Sequence, residues 1–305
     1  MCILLATRAH PDYDLILISN RDEFLQRRTH ATKWNQRKCC DILCPYDMSK
    51  CVKNIDRIGT WCGVNENGRI STVLNLKRED DIGKVLDHTR KSRGNLPIRF
   101  LDNEKGNDYS NWNTYDKFFK IYPDIGDTGD FNLLLGDAKI GKYNVLDSLG
   151  NTYDVLTLEN PDLVISNDEV GNHEGKWKKI IVGDSLLKEL VDVKTESKVM
   201  QKCFEIASTN TVSNNDYTLE DIRNLMTETI LVPPLNLSGI EQKGKIGASL
   251  PIGEYYGTRS QMVVLINKDR NKIKLVERVI FDGDKDVSDH GSENPMEELV
   301  FEFKF

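Results

Sequence analysis

Leu15-Ile16-Leu17-Ile18-Ser19-Asn20-Arg21-Asp22-Glu23 is the stretch that decides the fold. Four consecutive apolar residues read as a buried strand, and the run stops at a dense polar cluster, Asn20 to Glu23. A polar cluster at a strand's end lies on a sheet rim, where functional sites are commonly built. A second apolar run, Ile3-Leu4-Leu5-Ala6, begins directly after Cys2 and leads to the first through a polar turn containing His10-Pro11-Asp12. Two strands joined in this way pair antiparallel. The start of the first then lies beside the end of the second, which places Cys2 near Asn20, Arg21 and Asp22.

Length and composition bound the rest. The 305 residues suffice for one large domain or two modest ones, and no repeat, low-complexity tract or boundary divides them, so one domain over 1–305 is expected. A net charge of −7 argues against a general nucleic-acid binder. No apolar run approaches the ~20 residues of a membrane-spanning helix. The N-terminal apolar run is too short for a secretory signal, and the early Asp12 and Asp14 do not suit a mitochondrial presequence. An intracellular, cytoplasmic chain is expected. Seven cysteines, at 2, 39, 40, 44, 51, 62 and 203, form no secreted disulfide framework. Cys39, Cys40, Cys44 and Cys51 cluster without paired Cys-x-x-Cys spacing or an internal histidine, and no metal site is expected from them. His10, His30, His88, His173 and His290 show no ligand spacing either and read as surface residues.

Further along, the segment from Phe24 to Cys51 reads as a polar, irregular loop that covers the Cys2 region, with Cys44-Pro45 inside it. Trp61 to Val64 and Ile70 to Leu74 form a hairpin through Asn65-Glu66-Asn67-Gly68. A charged loop follows at Lys77 to Asp81. Short helices are expected around Ile98 to Leu101 and at Tyr115-Phe118-Phe119-Tyr122, the latter packed on the core and closed by Pro123. Phe131 to Asp137 and Tyr143 to Asp147 make a second hairpin, and Leu163-Val164-Ile165 is a short strand ended by Ser166-Asn167. Helical spacing follows over Trp177 to Leu190, Lys198 to Ser208 and Leu219 to Met226. Met262 to Ile266 and Ile273 to Ile280 are paired strands, Asp282 to Glu298 an exposed acidic loop, and Leu299 to Phe305 a last alternating strand. Hairpins followed by helices suit a layered α+β domain.

Several short runs carry a likeness that spans the chain in order: Met1-Cys2 before a strand, Ser19-Asn20-Arg21-Asp22-Glu23-Phe24, Gly59-Thr60-Trp61-Cys62-Gly63, Ser92-Arg93-Gly94, Ile165-Ser166-Asn167 with Trp177-Lys178-Lys179, and Tyr256-Gly257-Thr258-Arg259. Together they resemble the transport and Golgi organisation protein 2 family, known by its Asn-Arg-Asp-Glu motif, here Asn20, Arg21, Asp22 and Glu23. The resemblance implies an N-terminal-nucleophile (Ntn) hydrolase-like αββα sandwich. It also implies a role in Golgi organisation and protein secretion, with links to haem trafficking and lipid metabolism and an association with Golgi or mitochondria. No cofactor is required on this reading; haem or a small hydrophobic metabolite enters as cargo.

The polar strand ends also resemble the cysteine-type Ntn hydrolases, nearest the bile-salt hydrolase and penicillin V acylase group. Carried over by that resemblance, Cys2 matches the nucleophile, Asp22 the aspartate that orients it, Asn75 and Asn167 the asparagines near the reacting carbonyl, and Arg259 the late arginine beside the nucleophile. The chemistry is coherent. A thiol with a free pKa of ~8.5 is a weak nucleophile until deprotonated, and a free α-amine near ~7.7–8.0 can act as its base. That requires removal of Met1. Asparagine amides can donate to a developing oxyanion, an effect of roughly 2.7–4 kcal/mol per donor. The group's arginine before the Asn-x-Asp element is Ser19 here, and an arginine sits inside it as Arg21. The expectation is that Arg21 faces away from Cys2, into a structural ion pair. The same residues also admit plainer readings: Cys2 as a small hydrophobe, the asparagines as turn formers, Asp22 in a salt bridge, and Trp177-Lys178-Lys179 as an ordinary amphipathic helix. Three functions follow: the family role, a cysteine hydrolase of an amide, ester or thioester, and a module that binds haem or a metabolite without catalysis.

Overall fold

A computed structural model describes residues 2–48, 59–76, 91–103, 108–171, 176–212, 219–239 and 252–305. The expected charged loop at 77–81, and Cys51, His88 and His173, lie outside them. The first sheet contains β1 (Ile3–Thr7), β2 (Tyr13–Phe24), β10 (Asp162–Ile165), β11 (Leu235–Asn236), β12 (Tyr255–Asn267), β13 (Lys272–Val279) and β14 (Glu297–Lys304). Its order is β10-β1-β2-β12-β13-β14, with β11 on β12. The second sheet is a meander in chain order: β3 (Thr29–Asn35), β4 (Ile42–Asp47), β5 (Cys62–Asn65), β6 (Arg69–Asn75), β7 (Phe131–Asp137), β8 (Lys142–Asp147) and β9 (Thr152–Val155). Every ladder in both sheets is antiparallel.

The two sheets face each other across one apolar layer that includes Leu15, Leu17, Val64, Leu134, Val264 and Leu275. The helices α3 (Lys178–Lys188) and α4 (Glu196–Ala207) cover the outer face of the first sheet over Ile3, Leu5, Ile16 and Ile18. Next to them α5 (Leu219–Glu228) packs on Phe24 and Tyr256. The outer face of the second sheet carries α1 (Asn95–Asp102) and α2 (Tyr115–Ile121) over Leu133, Leu135 and Leu146. The result is the four-layer αββα sandwich. No described helix is long and apolar enough to cross a membrane.

The layering explains the sequence. All twelve residues of β2 are buried. From Leu15 onward its odd positions point between the sheets and its even ones at the helices, so a central strand reads as a continuous apolar run. By contrast β14 alternates, with Phe301, Phe303 and Phe305 against the inter-sheet core and Val300 in solvent.

The segment expected to be an irregular loop after Phe24 is instead β3 and β4, the edge of the second sheet. Its strand signal is weak for identifiable reasons. β3 is mostly polar, its register with β4 shifts between His30 and Lys33, and Pro45 sits opposite that shift, where no ladder hydrogen bond is needed. Cys44 thus lies in a strand, and burial pushes its thiol up to about 12. Cys39 is exposed, and Cys40 donates to the Asp102 carbonyl at 3.4 Å. His10 is buried rather than on the surface, with Nε2 3.0 Å from the Val193 carbonyl. The acidic segment after Asp282 holds a 3-10 turn, Asp284–Ser288, in which Asp286 is buried. Phe119, expected to pack on the core, and Ile181, within the helical spacing from Trp177 to Leu190, point to solvent.

Glu277 ties the layers together. Fully buried on β13, it accepts the Thr32 backbone N–H of β3 at 2.6 Å. Burial pushes its carboxyl up to about 7, against the Thr32 hydrogen bonds and Arg21, which pull it down. Between pH 4.5 and about 7 the folded chain keeps a proton that the unfolded chain has released. Stability therefore falls as pH rises through that window, by up to about 3 kcal/mol, and levels off above it. Glu277→Gln keeps an acceptor for Thr32 and has nothing to titrate. Urea unfolding at pH 5 and pH 8 should show the variant more stable than the wild type at pH 8 and closer to it at pH 5. Equal pH slopes for the two proteins would refute this account.

Candidate functional site

The register of β1 on β2 pairs Ile3 with Asn20, so Cys2 lies at the rim beside the polar cluster. The Cys2 thiol is partly buried and points its S–H at the main-chain carbonyl of Asp22, 3.8 Å away. The Cys2 carbonyl accepts the Ser166 hydroxyl at 2.6 Å. Burial pushes the thiol above its ordinary range; Asp22 adds to this, and Arg21 opposes it.

The four motif residues divide between two faces of β2. Asn20 and Asp22 face the helices. The Asn20 amide donates to the carbonyls of Ala207, at 2.8 Å, and Ile230, at 3.0 Å, and so fastens the end of α4 to the sheet. The Asp22 carboxylate accepts the Thr258 hydroxyl at 2.7 Å, and its main-chain carbonyl accepts the Tyr256 hydroxyl at 3.3 Å. Arg21 faces the other sheet. It lies over the Trp61 ring, 4.5 Å from the centroid, and 3.4 Å from Asp47. Arg27 completes a small ion network, 2.7 Å from Asp47 and 3.3 Å from Glu23.

The expected ion pair of Arg21 is present, but its direction differs from expectation. Cys2 packs against the same inter-sheet layer as Trp61, so Arg21 and Cys2 share a face. The reason is parity: Ser19 and Arg21 are two positions apart, and two steps along a strand return to the same side.

Asn75 and Asn167 come together across the two sheets, the Asn167 amide donating to the Asn75 carbonyl at 2.5 Å. This leaves the second N–H of the amide, and Asn167 Oδ1 is buried without a partner. Asn132 holds the same segment through the carbonyls of Ser166, at 3.2 Å, and Asp168, at 2.8 Å. Arg259 sits in the β-bulge of β12, fully buried. Its guanidinium donates to the Phe281 carbonyl at 3.0 Å and to Asp282. Burial and the neighbouring Arg21 pull it down to about 10. Its hydrogen bonds run to the 281–282 segment, not to Cys2.

Other residues at this rim were not singled out by sequence reasoning. Lys179 is fully buried on the first turn of α3; burial pulls its ammonium down to about 8, and Asp22 and Cys2 pull it back up. Arg93 donates to the Asp130 carbonyl at 3.0 Å, and burial with Arg27 pulls it down to about 10. Ser166, Tyr256 and Thr258 are named above. All five lie inside the short runs that carry the family likeness, so the signal was present in those runs. Gly59 and Gly94 show the same link. A Cβ on Gly94 would stand 3.0 Å from the Gly59 Cα, and Thr60 donates to the Gly94 carbonyl at 2.9 Å, so two of the runs pack backbone on backbone.

Two facing antiparallel sheets between helical layers define an Ntn hydrolase-like fold, in which a cysteine enters the first strand beside an Asn-x-Asp element. The chain belongs to the Transport and Golgi organisation 2 family, whose model matches residues 1–282. It is 41% identical over 320 residues to an uncharacterised protein of Saccharomyces cerevisiae, covering 100% of both chains. It is 26% identical over 284 residues to the human Transport and Golgi organization protein 2 homolog, covering 89% of this chain and 88% of the human one. Among solved structures it is similar to a penicillin V acylase from Agrobacterium tumefaciens, at a TM-score of 0.46 and 11% identity, covering 90% of this chain and 82% of that one.

Proposed function

We propose that this chain serves Golgi organisation, which its family's description names, and protein secretion, as a cytoplasmic protein associated with Golgi or mitochondria. Its working part on this reading is the rim around Cys2. The observation that supports it is the family match over residues 1–282, which includes every residue of that rim.

A second reading is favoured by the geometry. Cys2 lies beside Asp22, and the Asn167 amide has an N–H to spare at the same rim. After Met1 removal the α-amine of Cys2 takes the thiol proton, the thiolate attacks an acyl carbonyl, and the Asn167 N–H steadies the oxyanion. The leaving amine, alcohol or thiol takes the proton back, and water releases the acyl group from sulfur. A third reading keeps the thiolate and drops the hydrolysis: Cys2 binds the iron of a haem cargo.

Complementation of a deletion strain by Cys2→Ala separates these. Alanine still permits Met1 removal and retains the free amine. Full complementation at normal abundance would exclude nucleophilic catalysis and thiolate ligation together. Loss of function at normal abundance is the expected result, and trapping of an acyl adduct on Cys2 then distinguishes hydrolysis from haem binding.

A further inference from the structure

The buried stripe of α3 is Lys179, Gly183 and Leu187. This i, i+4, i+8 spacing puts all three on the face that meets the sheet. Gly183 fixes where that face lies: a Cβ there would stand 2.7 Å from the Leu5 side chain and 3.1 Å from that of Val164. Leu5 and Val164 are partners in the β1–β10 ladder. Toward the far end of the helix, Lys188 feels the charge of Asp162, the first residue of β10. The helix therefore runs from the Cys2 end of these strands toward the Asp162 end. One helical turn, about 5.4 Å, spans roughly two strand residues. Going back one turn from Gly183 reaches the level of Ile3 and Ser166, and Lys179 descends there.

Lysine is an unfavourable residue for this place. It is fully buried, and it stands at a helix N-terminus, where the backbone already presents positive charge. Asp22, on the face beneath it, is the ionisable group that acts on it most; Cys2, whose thiol is on the other face of the sheet, acts on it less. The Trp177 ring centroid lies 5.4 Å from its ammonium. Tyr256 of β12 donates to the Asp22 carbonyl, and Glu228 of α5 is held 3.6 Å from Lys178. Arg21 is on the opposite face of β2.

We infer that Lys179 is the positioning cation of the Cys2 rim: its ammonium, set against the Asp22 carboxylate on the helix side of the sheet, holds that side chain in place and offsets the negative charge that Asp22 turns on the Cys2 thiol, which favours the thiolate form. The inference rests on Cys2 being a reactive thiol, and it needs no particular substrate.

The test is the pH profile of Cys2 alkylation by iodoacetamide, read at the Cys2 peptide by mass spectrometry, in full-length protein whose Met1 removal has been checked. In Lys179→Met the Cys2 inflection should rise by about one pH unit, with alkylation at pH 7.5 about tenfold slower. Lys179→Arg should restore most of the rate. An unchanged inflection in a folded Lys179→Met protein overturns the inference. If the variants do not fold, the NMR titration of the Lys179 side chain decides. Its midpoint should fall in Asp22→Asn relative to wild type, because the carboxylate that favours the ammonium is gone. An unmoved midpoint overturns the inference. A Lys179-dependent thiol in a chain that Cys2→Ala fully complements would sink the hydrolase and haem-ligation readings and leave this inference standing.

Discussion

Asp22→Ala is expected to destabilise the chain by about 3–5 kcal/mol, the range for breaking a buried charge pair by removing one partner. Asp22 is 5% exposed and Lys179 is 0% exposed. Deleting the carboxylate leaves a buried ammonium at a helix N-terminus without its main counter-charge. It also takes the acceptor from the Thr258 hydroxyl, whose lone pair already receives the Val232 N–H at 2.9 Å. Against a total stability of about 5–15 kcal/mol, such a loss leaves little reserve. Asp22→Asn keeps the shape and an acceptor for Thr258 but loses the charge, so it should fall between wild type and alanine. Lys179→Met combined with Asp22→Ala should cost less than the two single losses added, because neither charge is then stranded. Urea unfolding of all four proteins checks this. A single Asp22→Ala loss under 1 kcal/mol would show that Asp22 carries no structural charge pairing.

The sequence made the central pairing legible because β2 is buried on both faces and reads without interruption. The polar cluster was legible as the far part of the same strand, but the expectation that it ends the strand was not met: Asn20 to Glu23 continue β2, buried and paired with β12, as far as Phe24. Strands β3 and β4 were not legible, since an edge strand with a bulge and a proline offers no period to detect. Lys179 was hidden differently. Helical spacing drew attention to Trp177, Ile180 and Ile181, and a lysine is assigned to the solvent face by habit. The burial of Lys179 and the position of Gly183 on Leu5 show that the stripe through Lys179 is the inward one. The direction of Arg21 could have been read by counting, because parity from Ser19 needs no structure. Arg259 could not have been, because its path to Asp282 depends on a bulge that shifts the β12 register between Thr258 and Ser260.

The packing of α3 makes the same site testable from a residue that bears no charge. Gly183→Leu should cost about 3 kcal/mol, since the new side chain must enter space held by Leu5 and Val164 of two buried strands. Gly183→Ala should lie within about 1 kcal/mol of wild type. The nearest atoms there are the ends of side chains, and alanine gains about 1 kcal/mol of helix propensity over glycine. The two variants differ in a second respect. A leucine at 183 lifts the first turn of α3 from the sheet and carries Lys179 away from Asp22, although neither charged residue is altered. Cys2 alkylation in Gly183→Leu should therefore slow in the direction of Lys179→Met, while Gly183→Ala stays near wild type. Equal Cys2 profiles in the two glycine variants, with the leucine variant folded and less stable, would mean that α3 supports the sheet without setting the state of the thiol.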